Sequence, residues 1–389
     1  MSKASASRPE ELQLLKDVLS IDSTWGQEKP LAEFLANRLE SAGIDEVALV
    51  DSMPGRPSVA GRLRGTGGGK SIILNGHLDI YEMSPDWQRD PFAPTVEDGR
   101  IYGGGIADMK AATTAGLAAL LRVASSGDRP RGDIIFQGVS CHFEGGVGTR
   151  SLLEAGFTAD GAICGEPTDN KIGTVHRGAA YLKITTKGKQ AHTSGKQHGL
   201  NAIETMEPIL AALRRFEHEM PYEPHAELPG GPILNIGTIR GGTKHNQVPD
   251  RCEITIDFRL LPSQNPYDVK SQVEQLIEQL RFTVDPRIDA IVEFSEHWLS
   301  GPRFPYEISK ESEIAQTTLH AVEQAKYSTP EFQGIQFWTD MVPLNDFNIP
   351  SVNIGPGTPP FSWADEWVEE KKYAEIIDVY ENAARAWCQ

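Results

Sequence analysis

The chain has 389 residues, more than a single hydrophobic core usually serves, so we expect two domains. Its formal net charge of −17 argues against nucleic acids and anionic membranes as partners. A hydrophobic fraction of 39% and a charged fraction of 23% are typical of a globular enzyme, and no stretch approaches the ~20 apolar residues of a membrane span.

The first part of the chain alternates predicted helices with short apolar strands. Apolar residues at helical spacing predict helices in three segments: EELQLLKDVLSI, EKPLAEFLANRLESAG and ATTAGLAALLRVASS. Short apolar runs predict strands in four segments: VALV, SIILNGHLDI, GDIIFQGVS and DGAICGE. This alternation is typical of an α/β sheet that is covered by helices.

After Glu166 the predicted order becomes strand, helix, two strands, helix and strand, which indicates a separate α+β module. Its segments are AAYLKITTKGKQAH, NAIETMEPILAALRRFEHEM, ILNIGTIRGG, CEITIDFRLL, NPYDVKSQVEQLIEQLR and DAIVEFSE. The chain then returns to the α/β pattern with FNIPSVNIGPG and the closing helix KKYAEIIDVYENAARAW. We therefore predict one domain of residues 1–178 and 298–389, interrupted by a second domain of residues 179–297.

The four cysteines are scattered and form no close motif: Cys141, Cys164, Cys252 and Cys388. We predict that they are buried small side chains in a reduced, cytoplasmic protein. The opening residues contain no apolar stretch of signal-peptide length, which agrees with that location.

Four polar residues lie at the ends of predicted strands or directly after a glycine turn. His77 and Asp79 lie two residues apart at a strand end, so they share a face as an imidazole and its orienting carboxylate. Asp108 follows a glycine turn, and Glu166 follows the strand in DGAICGE. Because open α/β sheets bind ligands beyond their carboxyl edge, we expect His77, Asp108 and Glu166 to converge on zinc, manganese or cobalt.

Eight segments occur in a characteristic order along nearly the whole chain: NGHLD, GGGIADMKAATTAG, EGGVGTR, CGEPT, KGKQAHTSGKQHGLNAI, GGTKHNQVPDRCEITIDFRLLP, WTDMVPL and IPSVNIGPG. This series resembles the M20 metallopeptidases, which include acetylornithine deacetylase, succinyl-diaminopimelate desuccinylase and carboxypeptidase G relatives. The resemblance implies an α/β, zinc-peptidase-like catalytic domain, with a mixed sheet and helices on both faces. It also implies an inserted α+β, ferredoxin-like lid that forms a homodimer or a larger even homo-oligomer.

The resemblance further implies a site for two metals. The first metal binds the residues that match His77, Asp108 and Glu166, and the aspartate bridges to the second metal. The second metal also binds the latter member of a Glu-Glu pair and a histidine near the C-terminus. The first member of that pair is the general base that activates the attacking water.

This chain departs from the family at the second metal. Alignment on the glycines of CHFEGGVGTR places the Glu-Glu pair at His142 and Phe143, and the C-terminal histidine aligns with Ser362. The three ligands of the first metal remain, so we predict a single divalent metal. We predict His142 as the general base, with a metal ligand and a structural residue as alternatives. Glu144 is a rival base if the loop aligns two residues differently.

Three residues of the inserted module match substrate-binding positions of the family. His192 matches a histidine that reaches into the partner subunit's site and stabilises the oxyanion of the tetrahedral intermediate. Asn246 and Arg259 match residues that hold a carboxylate of a small-molecule substrate. Without the resemblance, each of the three would be interpreted as a surface or structural residue.

The predicted function is metal-dependent hydrolysis of a C–N bond in a small substrate that carries a carboxylate, with an amide as the first expectation. Four aromatic residues are predicted to line an apolar pocket in place of the second metal, or equally to belong to the core: Phe143, Trp338, Phe361 and Trp363. Such a pocket favours an alternative, an aminohydrolase that removes an amino group from an aromatic amino acid-like compound. Two further alternatives are a non-catalytic binding relative and a dinuclear deacylase or peptidase completed by Glu144 or Asp365.

Overall fold

The computed structural model describes residues 8–295, 301–358 and 364–389. The chain forms two compact units. The outer unit comprises Met1–Thr174, Ile308–Gly334 and Thr339–Gln389, and the inserted unit comprises Val175–Glu307 and Ile335–Trp338. The domain boundary predicted after residue 178 lies within the inserted unit, whereas the boundary predicted after residue 297 lies outside the described residues.

The helices and strands are numbered in chain order. The helices are α1 Pro9–Leu19, α2 Lys29–Ser41, α3 Ala111–Ser125, α4 Val147–Glu154, α5 Ala202–Glu219, α6 Pro266–Thr283, α7 Glu313–Ala325, α8 Met341–Asp346 and α9 Glu370–Trp387. The strands are β1 Glu46–Met53, β2 Arg56–Leu63, β3 Ile72–His77, β4 Thr95–Glu97, β5 Arg100–Tyr102, β6 Ile134–Val139, β7 Gly161–Cys164, β8 Ile172–His176, β9 Gly178–Lys187, β10 Ala191–His192, β11 Ile233–Gly241, β12 Gln247–Val248, β13 Arg251–Leu260, β14 Asp289–Phe294, β15 Pro302–Arg303, β16 Tyr306–Glu307, β17 Phe332–Ile335, β18 Ser351–Asn353 and β19 Trp367–Glu369.

A mixed sheet organises the outer unit, with neighbouring strands in the order β1-β2-β6-β3-β7-β18-β8. Strand β3 lies between β6 and β7 and runs parallel to both, and β18 runs parallel to β7. The pairs β1–β2, β2–β6 and β18–β8 are antiparallel. The predicted mixed sheet is confirmed, and the carboxyl ends of β6, β3 and β7 meet at one edge.

Helices cover both faces of this sheet, as two neighbouring residues of β3 demonstrate. The side-chain amide of Asn75 donates to Thr149 Oγ1 on α4 at 3.0 Å. Gly76 faces α3 instead, and a Cβ at this position would lie 2.3 Å from Thr113 Oγ1. Because successive strand residues point to opposite faces, α4 and α3 lie on opposite sides, and the missing side chain of Gly76 allows α3 to pack closely.

The core of the outer unit follows from the helical spacing of its apolar residues. In α2, Leu31, Leu35 and Leu39 recur every four residues, and each is at most 1% exposed. They belong to a cluster that also contains Ile72 of β3 and Phe136 of β6. Burial of each such side chain stabilises the fold by about 1.5–3 kcal/mol, so this stripe fixes α2 on the sheet.

The inserted unit follows the chain order β9-α5-β11-β13-α6-β14, and its four main strands lie side by side as β11-β13-β9-β14 with antiparallel neighbours. Alternate residues of β13 point into a core shared with α5 and α6, including Ile254, Ile256 and Phe258. This connectivity and strand order define a ferredoxin-like fold, which confirms the prediction.

Two further observations concern the setting of the chain. All four cysteines are free thiols with buried side chains, as predicted. Among the described residues, no helix combines the length and the apolar character that crossing a membrane requires.

Candidate metal centre

Three side chains of the types that bind metals in proteins meet at the carboxyl edge of the outer sheet. His77 ends β3, His142 follows β6, and Glu166 follows β7. One donor atom from each of these buried residues lies within 4.8 Å of the other two. Among the residues that the structure describes, this is the one group of three or more His, Cys, Asp or Glu side chains with donor atoms this close together. The predicted ligands His77 and Glu166 belong to the group, and His142 occupies its third position.

His77 is held by an acceptor on each side of its ring. Its Nδ1 lies 2.9 Å from the backbone oxygen of Asp79, and its Nε2 lies 3.1 Å from Asp108 Oδ1. Burial lowers the pKa of His77, but the carboxylates of Asp108, Glu166 and Asp79 outweigh it and raise the pKa to about 10. These carboxylates therefore favour a positive charge at this point, which a proton or a metal cation can supply.

Asp79 supports the centre in a different way from the predicted one. Its backbone oxygen, and not its carboxylate, accepts from His77, since Asp79 Oδ1 lies 4.0 Å from His77 Nδ1. The carboxylate accepts the backbone N–H groups of His142 at 3.3 Å and Phe143 at 3.1 Å. Asp79 thus connects the end of β3 to the loop that carries His142. Burial raises the pKa of this fully enclosed carboxyl group.

Asp108 lies in an irregular turn, Ile106–Lys110, that leads into α3, and its φ of −129° and ψ of 89° are not helical. Gly105, which precedes the turn, has a φ of +73°, a conformation that favours glycine. The carboxylate of Glu366 accepts the backbone N–H groups of Gly105 at 2.6 Å and Ala107 at 3.1 Å. Glu366 therefore fixes the turn that presents Asp108 to His77, a positioning role that the sequence did not indicate.

His142 contacts the ring of His77 and the carboxylate of Asp340. Its ring is stacked on that of His77, with centroids 4.3 Å apart and 19° between the planes. Its Nδ1 lies 3.2 Å from Oδ2 of Asp340, which precedes α8 and is 1% exposed. Burial and the neighbouring His77 lower the pKa of His142, while Asp340 and Glu166 raise it, and the net direction is upward. Sequence reasoning missed Asp340.

Glu166 completes the group from the side of β7. Burial raises its pKa to about 7, although the nearby His142 and His77 act in the opposite direction. A metal at this centre would favour the ionised carboxylate in the same way as the two imidazoles.

The ring of Phe143 forms an aromatic wall beside the histidines. Its ring centroid lies 5.9 Å from that of His77 and 4.5 Å from that of Tyr81. Trp338, another predicted pocket residue, belongs to the inserted unit and contacts His176 and Arg303 there. The predicted positions Phe361, Ser362 and Trp363 lie outside the described residues.

The two residues proposed to complete a second metal site have other partners. Glu144 accepts from the indole of Trp25 and from Arg56, which also forms a buried ion pair with Glu28. Asp365 accepts the backbone N–H groups of residues 88 and 89 at 3.2 and 3.1 Å. Both carboxylates therefore hold neighbouring segments in place.

The inserted unit brings two of its three predicted substrate-binding residues together. His192 and Asn246 line one shallow cavity, where Asn246 O accepts from Thr193 N at 3.1 Å. His192 is exposed, with Nδ1 2.8 Å from Ser194 Oγ. Arg259 lies on β13, where its Nε and Nη2 donate to Asp257 Oδ2 at 3.1 and 2.8 Å.

Comparisons with known proteins agree with this architecture. Residues 174–282 match the family M20_dimer, described as a peptidase dimerisation domain. A Bacillus subtilis relative named N-formyl-4-amino-5-aminomethyl-2-methylpyrimidine deformylase is 29% identical, over 72% of this chain and 69% of its own length. A Staphylococcus epidermidis relative named probable succinyl-diaminopimelate desuccinylase is 24% identical, over 98% of this chain and 99% of its own length.

The solved structure of an M20 family metallo-carboxypeptidase from Sulfolobus solfataricus has the same fold. It is 18% identical and superposes with a TM-score of 0.79, over 98% of this chain and 99% of its own.

Proposed function

This chain belongs to the M20 family of metal-dependent hydrolases, and from that premise we propose that it hydrolyses an amide bond in a small substrate that carries a carboxylate. The two curated relatives are named a deformylase and a desuccinylase, and both names denote removal of an acyl group. We therefore propose an N-acyl amino acid or a similar N-acylated acid as the substrate class.

The buried group of His77, His142 and Glu166 is the observation that carries this proposal. Two imidazoles and a carboxylate suit zinc, manganese or cobalt, and the surrounding carboxylates favour a cation there. A divalent metal at this point would supply a Lewis acid for the scissile carbonyl and lower the pKa of water. We propose a single metal, because Phe143 cannot replace the missing ligand of a second one.

The residues at the metal centre have distinct proposed roles. His77, Asp108 and Glu166 are proposed to hold the metal. Glu366 fixes the turn that carries Asp108, and Asp79 fixes the loop that carries His142. His142 lies beside this group and has two candidate roles, general base or further ligand.

The residues of the inserted unit are proposed to bind the substrate. His192 is proposed to stabilise the oxyanion, and Asn246 and Arg259 to bind the substrate carboxylate. The cavity that His192 shares with Asn246 supports this assignment. The match to a dimerisation domain supports a homodimer or a larger even homo-oligomer. The free cysteines support a cytoplasmic location.

One observation favours a second candidate function. The rings of Phe143 and Tyr81 form an aromatic wall beside His77. Such a wall suits a planar substrate, so an aminohydrolase that acts on an aromatic amino acid-like compound is the alternative.

The test is an amine-release assay with the full chain loaded with manganese or zinc. The substrates are N-formyl and N-succinyl amino acids, together with amino-aromatic acids. We expect hydrolysis of at least one N-acyl amino acid, lost on chelation and in Glu166→Gln, but retained in Glu331→Gln on the surface of the same unit. Release of ammonia from amino-aromatic acids alone would favour the aminohydrolase, and no release from either class would refute both functions.

A further inference from the structure

We infer that His142 is a ligand of the metal and that Asp340 is the residue that positions it. This inference rests on the proposed function, because it assigns a role within the same metal centre. It concerns a residue that takes the place of the family's general base, and a carboxylate that the alignment of motifs did not single out.

Each imidazole has an oxygen atom close to its Nδ1. His77 Nδ1 lies 2.9 Å from the carbonyl oxygen of Asp79, and His142 Nδ1 lies 3.2 Å from the carboxylate of Asp340. Both oxygens can only accept, so a ring that gives up one proton to bind a metal keeps the proton on Nδ1 and presents the lone pair of Nε2. In His77 this Nε2 lies 3.1 Å from Oδ1 of Asp108, another proposed ligand, so a cation would replace the proton between the two. Metal-bound histidines commonly show this pattern, in which an oxygen acceptor at one nitrogen directs the other to the metal.

The positions of the donor atoms agree with a shared cation. Those of His77, His142 and Glu166 all lie within 4.8 Å of one another. Metal–nitrogen bonds of about 2.1 Å place any two ligand atoms within about 4.2 Å, so a small movement closes the group. The stacked rings approach this point from the same side of the sheet edge, because β3 and β6 are adjacent and parallel.

Asp340 is placed where a positioning carboxylate is needed. It is 1% exposed, and its Oδ2 lies 3.2 Å from His142 Nδ1. An unpaired buried carboxylate costs several kcal/mol. The adjacent His142 ring therefore compensates the buried charge of Asp340. A ligand role for Nε2 also excludes the predicted general-base role, since one lone pair cannot serve both.

The experiment titrates the metal-free full chain with Co²⁺ and records the visible absorption band together with the dissociation constant. We expect Asp340→Asn to weaken Co²⁺ binding by about 10–100-fold. His142→Ala should weaken it at least as much and change the band, because one nitrogen donor is lost. The matched control is Asp346→Asn, an exposed aspartate on α8 that pairs with Arg150, and it should change neither quantity.

Two results would overturn the roles assigned to His142 and Asp340. If His142→Ala abolishes hydrolysis but leaves the dissociation constant and the band as in the wild type, His142 is not a ligand and the inference is overturned. Unchanged binding in a folded Asp340→Asn variant overturns the positioning role, and circular dichroism identifies any variant that fails to fold. Asp340→Asn keeps the side-chain volume, so it provides the answer if His142→Ala unfolds.

The wild-type protein separates this inference from the proposed function. Co²⁺ binding that depends on His142, without hydrolysis of any N-acyl amino acid, would refute the function and leave the ligand assignment intact. Chelator-sensitive hydrolysis, together with Co²⁺ binding that is independent of His142, would support the proposed function and overturn the ligand assignment. Absence of Co²⁺ binding by the wild type would overturn the ligand assignment.

Discussion

The rings of His77 and His142 are stacked 4.3 Å apart, although the two residues follow different strands. Asp79 makes this arrangement possible, because its backbone oxygen holds one ring while its carboxylate holds the loop of the other. The two histidines therefore form a single structural unit, and substitution of either one should change the position of the other ring.

Removal of the metal should lower the stability of the wild type. A cation that binds only the folded chain stabilises it by about 2.7 kcal/mol at a free concentration 100 times its dissociation constant. We expect one metal per chain by elemental analysis and a lower thermal midpoint after chelation. Glu166→Ala should lose both the metal and the response to chelator, whereas Glu331→Ala on the surface should keep them. Two metals per chain would contradict the single site.

Glu366→Ala should destabilise the protein and weaken metal binding. The change leaves the buried N–H groups of Gly105 and Ala107 without their carboxylate, at a cost of about 1–3 kcal/mol for each unsatisfied donor. The turn that presents Asp108 would also loosen. Urea unfolding and a metal titration measure the two effects, and Glu323→Ala, on an exposed site of α7, is the control. Full stability in Glu366→Ala would mean that water replaces the carboxylate.

Lys110 should make the stability depend on pH. Burial lowers the pKa of this amine to about 7, although Asp22 and Glu366 act against the shift, and its Nζ donates to Ile21 O at 2.7 Å. The unfolded pKa is about 10.4, so between about pH 7 and 10 the unfolded chain holds a proton that the folded chain lacks. Stability should therefore rise with pH in this window, by at most about 1.4 kcal/mol per unit.

The measurement for Lys110 compares urea unfolding of the wild type and Lys110→Met at several pH values from 6 to 10. We expect the difference in unfolding free energy between the two proteins to move in favour of the wild type as pH rises. Lys371→Met, an exposed lysine on α9, should run parallel to the wild type. A constant difference for Lys110→Met would show that the buried amine titrates normally.

Arg56→Met should be the most destabilising of the changes considered. The guanidinium pairs with Glu28 and Glu144, and the three side chains are at most 11% exposed. Loss of one partner from a buried ion pair costs about 3–5 kcal/mol, because the carboxylates stay buried without compensation. Arg150→Met, which breaks an exposed pair, should cost less than about 1 kcal/mol. Chemical denaturation distinguishes the two, and equal effects would contradict the network.

Local sequence was sufficient to predict where the three proposed metal ligands lie. His77 and Glu166 follow apolar strands, and Asp108 follows a glycine turn before a helix, so short segments decide their positions. The succession of strands and helices in the inserted unit was also predictable, because these elements have clear periodicity, whereas its ferredoxin-like fold was implied by the family resemblance.

Contacts between distant segments could not be predicted in this way. The pair of His142 and Asp340 forms only when α8 packs beside the loop after β6. The segment WTDMVPL contains Asp340, but nothing in it indicates a contact with His142. The choice between the carbonyl and the carboxylate of Asp79 depends on the turn of the backbone after His77. The attachment of Glu144 to Arg56 likewise depends on side chains that approach from separate strands and loops.

The parallel strands β6, β3 and β7 also bear on how such a centre can change during evolution. Adjacent strands lie about 4.8 Å apart, a spacing close to the separation of two atoms bound to one cation. A point mutation at the end of one strand therefore replaces one donor while the backbone keeps the others in register. Such a centre can therefore change from one coordination chemistry to another through single substitutions, without any rearrangement of the sheet that carries it.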